Sequence, residues 1–390
     1  MILRVPEYYM DFSCIADQCN DSCCAGWEID IDEGSYAYYK SCEGEFGNFL
    51  RKNMYKSESG YRFCLQDATT GKSKGKRCAM LNDDNLCDLY TALGEEALCE
   101  VCTEYPRFLL LYGNVMQKGL SFSCEEAGRM IFTRNTPVRF VEYEMEDAED
   151  LGDMPEELEQ ENEEDEEYIC FMEQVQKKAF EILQNRKLSI RERMCHFLLW
   201  AEHTQDVTNH YQAYQDVEIL KKGLQNWRAD MTELPGQEIR YEDFMDRFFI
   251  FTDMEVLDNE WVHIKDGFNK RFNKDSYKRM LSEYLVSQEF VPVWYEHILV
   301  YFTFRYLMNA VYDFDILSYA KLAVVATLVI RDMDVLRWHE KGGQYTVEDR
   351  IDIARIFSKE VEHSEGNADA LKEMCMMEEI AAVENLYRQI

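Results

Sequence analysis

Eleven of the fourteen cysteines lie before residue 125, and all seven histidines lie after residue 195. This distribution constrains the fold most. The N-terminus opens MILRVPEYYMDFSC, with Pro and Glu where the apolar core of a secretory signal would stand. Without such a signal, clustered cysteines point to metal ligation or redox chemistry rather than a disulfide framework, and to a reducing cytoplasm. The ligand set is thiolate, with no imidazole.

The candidate ligands fall into groups. Cys14, Cys19, Cys23 and Cys24 stand in CIADQCNDSCC, Cys78 and Cys87 in RCAMLNDDNLCDLY, Cys99 and Cys102 in ALCEVCTEYPR, and Cys124 in LSFSCEEAGRM. Asn82 to Asn85 is turn chemistry between apolar runs and predicts a β-hairpin with Met80 facing Cys87 and Cys78 on the same side. Cys99 and Cys102, three apart, project from one side of a helical turn that Pro106 ends. Cys124 opens a helix, whose N-terminus favours the thiolate. Cys23 and Cys24 point to opposite sides in extended backbone, so they serve different sites or only one ligates. Thiolate-only sites suit zinc or an iron–sulfur cluster, and nine thiols exceed the four that one site needs. Cys42 and Cys64 are as readily small hydrophobes as ligands; Cys170, Cys195 and Cys375 read as hydrophobes.

Beyond the cysteines the chain divides by composition. Residues 142–167 carry sixteen Asp or Glu and no Lys or Arg, which reads as a solvated linker. From Tyr168 onward apolar residues recur at three- and four-residue spacing. The expected class is α+β: a small cysteine-rich metal-binding domain (1–140), an acidic linker (141–167) and a mainly helical domain (168–390), the region expected to bind a protein substrate. Ser189 with Glu192, and Thr346 with Asp349, predict capping boxes opening helices through Trp200 and Glu362. Glu289–Asp315 and Phe314–Leu336 are the expected core pair. SEGNAD (364–369) is expected to interrupt the helical pattern before a final helix over 370–389.

The net charge of −33 disfavours nucleic acid and anionic membranes. The most apolar stretch, Ile316 to Ile330, contains Lys321 and falls short of the roughly 20 residues that a bilayer crossing requires. GKSKGKR (71–77) lacks the spacing of a phosphate loop, and neither HExxH nor GxSxG is present. His196, His203 and His210 recur every seven residues, about 10 Å apart on a helix, too far to share a metal.

Four segments together carry a resemblance: VPEYYMDFSC (5–14), CNDSCCAGWEIDID (19–32), RCAMLNDDNLCDLYTALGEEALCEVCTEYPR (77–107) and GLSFSCEEAGRM (119–130). They resemble the flagellin lysine-N-methylases and, more widely, cysteine-rich zinc- or iron-chelating domains. The resemblance implies a protein-lysine N-methyltransferase that moves a methyl group from S-adenosylmethionine to lysines of flagellin or another protein. It also implies a 4Fe–4S cluster, with zinc as the alternative, on the N-terminal cysteines. A desolvated methyl-transfer site is then expected near Cys23-Cys24, with Trp27, Tyr8 and Tyr9 as aromatic walls and Asp30 or Asp32 as carboxylate. The alternative is a non-catalytic zinc or iron–sulfur module that scaffolds a partner.

Overall fold

The first strand, β1 (Ile2–Pro6), lies inside a four-stranded sheet rather than at its edge. It runs parallel to β8 (Val115–Leu120) and antiparallel to β9 (Phe140–Glu144), and β7 (Arg107–Tyr112) pairs with β8 as a hairpin, giving the order β7-β8-β1-β9. The hairpin turns on Gly113, at φ 53°, a left-handed conformation that glycine adopts without steric cost. Gly119 faces Phe108 across the hairpin, and a Cβ there would lie 2.3 Å from the Phe108 ring. The computed structural model describes all residues except 59, 69–74, 146–164, 228–235 and 237.

Two smaller sheets carry the cysteine region. β2 (Asp30–Ile31), β4 (Tyr61–Phe63) and β3 (Met54–Lys56) form one, in the order β2-β4-β3. β5 (Leu65–Ala68) and β6 (Gly75–Cys78) form the other.

The hydrophobic cores divide the chain differently from its composition. A small core, including Ile29, Tyr39, Leu50, Phe63, Met80 and Leu89, gathers residues from Cys24 to Cys102. A large core joins the four-stranded sheet to the helices, running from Leu3 and Val5 through Phe122 and Ile131 to Ile390. The sheet thus belongs with the helices in an α+β unit, and the cysteine region is an insertion between β1 and β7. The acidic run also departs from a uniform linker. Its first residues extend β9, where Glu142 pairs with Arg4, and its last begin the Glu166–Leu183 helix, capped by Asp165. The rest lies outside the described residues.

Both capping boxes form. Ser189 opens the Ile190–Tyr214 helix, longer than expected, and Thr346 opens Val347–Glu362. The core pair is Pro292–Tyr306 and Ile316–Glu340; the latter is buried almost all round. SEGNAD interrupts the pattern at Ser364 as expected, but a new helix opens within it, because the Ser364 side chain caps Glu365–Met376. The final helix is correspondingly split into Glu365–Met376, Glu378–Ala381 and Val383–Gln389. Among the described residues no helix is long and apolar enough to cross a membrane.

Candidate functional site: the cysteine loop on the C-terminal helix

Local chemistry places each cysteine. Cys87, Cys99 and Cys124 each stand at the residue preceding a helix, those of Asp88–Leu93, Glu100–Glu104 and Glu125–Phe132. The predicted hairpin is reduced to one bridge, Leu81 opposite Cys87, one residue out of the expected register. Asn82 explains the shift. Its side-chain oxygen accepts from the N–H groups of Asp84 and Leu86, closing a tight turn. Cys78 ends β6, and its N–H donates to the carbonyl of Cys24, which brings the CC motif beside it.

The thiols form two electrostatic neighbourhoods. Cys24, Cys78, Cys87, Cys99 and Cys102 influence one another around the small core. Cys14, Cys19 and Cys124 do so beside the four-stranded sheet. Cys23 acts on both sides, through Cys24 and Cys102 and through Cys14. Two pairs share thiol hydrogen bonds. In each, one member is held low, Cys24 by Cys23 and Cys99 by Cys102, while its partner is pushed up. Arg77 beside Cys24 also favours its thiolate. Elsewhere burial dominates. It pushes Cys19 up to about 12, and Cys87 and Cys124 up to about 11. At Cys124 the backbone N–H groups of Ala127 and Glu126 favour the thiolate, as expected of a helix N-terminus, but desolvation outweighs them. Among the described residues, no group of three or more His, Cys, Asp or Glu is gathered closely enough to hold a metal ion. The donor chemistry fits a thiolate-bound metal; closure requires the paired thiols to turn toward a common point.

The loop carrying Cys19, Cys23 and Cys24 is clamped to the Val347–Glu362 helix. Asp21 bonds to Arg355 and Lys359, each at 2.7 Å, and both cations are almost wholly buried. Lys359 also meets Asp258 at 3.0 Å, and Arg355 meets Glu260 at 2.7 Å. Asn20 donates to Glu125 through its backbone N–H and its side chain. Gly26, at φ 91°, lies directly on Lys359; a Cβ would come within 2.8 Å of its Cε. Arg355, Lys359 and His363 are spaced four apart, so one face of the helix and its C-cap meets the loop at Asp21, Gly26 and Trp27.

At the end of that face, Trp27 packs on His363 with ring centroids 4.9 Å apart, and Tyr105 meets His363 edge-on at 6.0 Å. Trp27 Nε1 donates to the carbonyl of Cys23. The Tyr105 hydroxyl donates to Ser123, and Ser121 and Ser358 continue a chain of hydroxyls that ends on Glu362. Glu362 also accepts from Tyr301 and Tyr306 and pairs with Arg305. Of the residues expected as site walls, Trp27 alone stands in this junction. Tyr8 and Tyr9 are buried in the large core under Arg134 and Arg107. Asp30 pairs with Arg62, and Asp32 caps the Glu33–Ser41 helix while accepting from the N–H of Glu100. Sequence reading missed Asp21, Tyr105, Arg355, Lys359 and His363. The one available signal was the four-residue spacing of Arg355, Lys359 and His363.

Residues 176–388, more than half of the chain, match the family described as the FliB lysine N-methylase C-terminal domain. The chain belongs to this lysine N-methylase family. The match includes the helix that clamps the cysteine loop. Among similar proteins, the flagellar biosynthetic protein FliU of Salmonella muenchen is 29% identical over 125 residues, 31% of this chain and 71% of that protein. The lysine-N-methylases of Salmonella choleraesuis strain SC-B67 and Salmonella typhimurium strain LT2 are each 27% identical over 125 residues. Those alignments cover 31% of this chain and only 30% of either methylase. No solved structure matches. In this methylase-family chain the clamped loop joins the thiol neighbourhoods to a helix of the matched region.

Proposed function

We propose that the protein methylates lysine side chains of a protein substrate, flagellin being the substrate we favour, with S-adenosylmethionine as methyl donor. The observation that carries this reading is the family match over residues 176–388, which contains the face on which the cysteine loop sits. In the reaction a neutral lysine amine attacks the methyl carbon. The new C–N bond forms as the C–S bond breaks, and the sulfonium leaves as a neutral thioether. The ordinary lysine pKa lies near 10.4, so a proton must first be lost to solvent. The protein's part is to exclude water, disfavour the ammonium and align amine, methyl and sulfur.

Cys24, Cys78, Cys87, Cys99 and Cys102 are the residues to hold a 4Fe–4S cluster, with Cys14, Cys19, Cys23 and Cys124 as the second candidate set. A cluster held there supplies redox capacity and a Lewis-acidic iron. Zinc on the same thiols is the alternative occupant.

The test begins with anaerobic purification and measurement of iron, sulfide and zinc. Iron and sulfide in near-equal amounts, about four each per chain, are expected for one cubane cluster. Flagellin incubated with this protein and S-adenosylmethionine should then gain mass in steps of one methyl group. Fully metallated protein that leaves flagellin and other lysine-rich proteins unshifted would be a scaffold, not a methylase.

A further inference from the structure

The clamp explains Asp21, Arg355 and Lys359, but it leaves the junction of Trp27, Tyr105 and His363 without a purpose. Three observations there point to a ligand. Trp27, Tyr105 and His363 are each only partly buried. His363 Nδ1 is buried with no hydrogen-bond partner among the described residues, an arrangement that is unfavourable unless something offsets it. The Tyr105 hydroxyl has its proton committed to Ser123, which leaves its oxygen as an acceptor.

The electrostatics narrow the ligand's charge. Burial, and after it the cations of Arg305 and Lys359, hold the His363 imidazole neutral, down to about 3. Arg305 is paired with Glu362, and Lys359 with Asp21 and Asp258. A cation entering beside them would meet the same desolvation as a protonated imidazole. A neutral donor would not. The neighbouring backbone leads to the CC motif, since Trp27 Nε1 holds the carbonyl of Cys23.

We propose that this junction receives the acceptor lysine, its methylene stem along the Trp27 ring and its amine hydrogen-bonded to His363 and Tyr105. The inference rests on the methylation reading above. A neutral primary amine has two N–H donors and one lone pair. Two acceptors, one from an imidazole nitrogen and one from a phenol oxygen, use both donors and leave the lone pair free to attack. The same site rejects the ammonium form. The lysine therefore gives up one proton to solvent on entry and arrives as the nucleophile. His363 and Tyr105 position the amine and take up no proton themselves.

The experiment uses the full-length protein, prepared anaerobically, with flagellin as acceptor. Wild type, Tyr105→Phe, His363→Leu and His363→Asn are compared for metal content, melting temperature and steady-state methyl transfer. Tyr105→Phe removes one oxygen without changing ring shape. It should lower kcat/KM for flagellin about tenfold, the loss expected for one hydrogen bond made to the reacting group. His363→Leu should lose at least as much, and His363→Asn, which restores an acceptor, should recover part of it. Metal content and the KM for S-adenosylmethionine should stay within about twofold of wild type, which a merely structural role would not preserve. If wild type transfers methyl groups and Tyr105→Phe and His363→Asn both remain within about twofold of it in kcat/KM, the inference is overturned. If wild type itself transfers none, the methylation reading has failed first.

Discussion

Glu360 shows how one buried carboxylate ties two parts of the helical layer together. Its side chain accepts from the backbone N–H groups of Leu257 and Asp258, so it closes the segment before the Asn259–Arg271 helix onto Val347–Glu362. Burial pushes it up to about 7 from an ordinary value of 4.5, against the pull of those N–H groups. The folded protein therefore holds this proton more tightly than the unfolded chain. The contribution to stability is fully present below about pH 4.5 and is lost as the pH rises through 7. His363 works in the opposite sense. Its folded value is depressed, so its contribution is present above 6.5 and is lost as the pH falls toward 3. Glu360→Gln keeps the shape and has no proton to lose. Urea unfolding at pH 5 and pH 7 should show the stability of Glu360→Gln rising relative to wild type as the pH rises, with His363 common to both proteins. An unchanged difference between the two pH values would mean that Glu360 is not a protonated carboxyl in the fold.

Among the elements, the Val347–Glu362 helix bears most on function, and its N-terminus is built by side chains alone. Thr346 accepts from the N–H of Asp349, while Asp349 accepts from the N–H of Thr346 and pairs with Lys341. The register set there aims Arg355, Lys359 and His363 at the cysteine loop. Thr346→Ala should cost about 1 kcal/mol in chemical denaturation. Asp349 still pairs with Lys341 and Arg337 in that variant, so the helix should remain in place. A loss several times larger would mean that the cap also holds the loop. The same physics opens the Glu365–Met376 helix, since Ser364 offers a cap one residue beyond His363.

At the scale of the whole molecule, composition and packing disagree about where the chain divides. The thiols mark residues 1–140 as one region, yet the face of the four-stranded sheet is covered by helices from the C-terminal two-thirds. Gln117 donates to the carbonyl of Phe304, Phe122 stacks on Tyr301 at 3.8 Å, and Gly128 lies against Ile351. A fragment of residues 1–140 would expose this surface to water. Expressed alone, it should bind a hydrophobic dye and aggregate, whereas the full chain should do neither. A monomeric fragment with sharp, dispersed NMR signals would mean that the small core and the sheet are independent of the helices. The net charge of −33 does not alter this expectation, because Leu3, Val5, Val115, Met116 and Leu120 of the covered sheet are apolar.

The sequence by itself determined the clustering of thiols in the N-terminal region, both capping boxes, the buried helical pair and the family resemblance. Each of these rests on short-range spacing, which a linear reading resolves. Cys99 and Cys102 are legible because three residues make nearly one helical turn. Tertiary structure alone decided the rest. Asp21 finds Arg355 and Lys359 more than 330 positions away, and no local pattern in Asp-Ser-Cys-Cys announces such a partner. It also decided that desolvation outweighs the helix N-terminus at Cys124, that Tyr8 and Tyr9 serve the core, and that Tyr105 joins the junction. The physical reason is common to all of them. Propensity and periodicity act within a turn or a strand pair, whereas desolvation and charge pairing depend on what another part of the chain brings alongside.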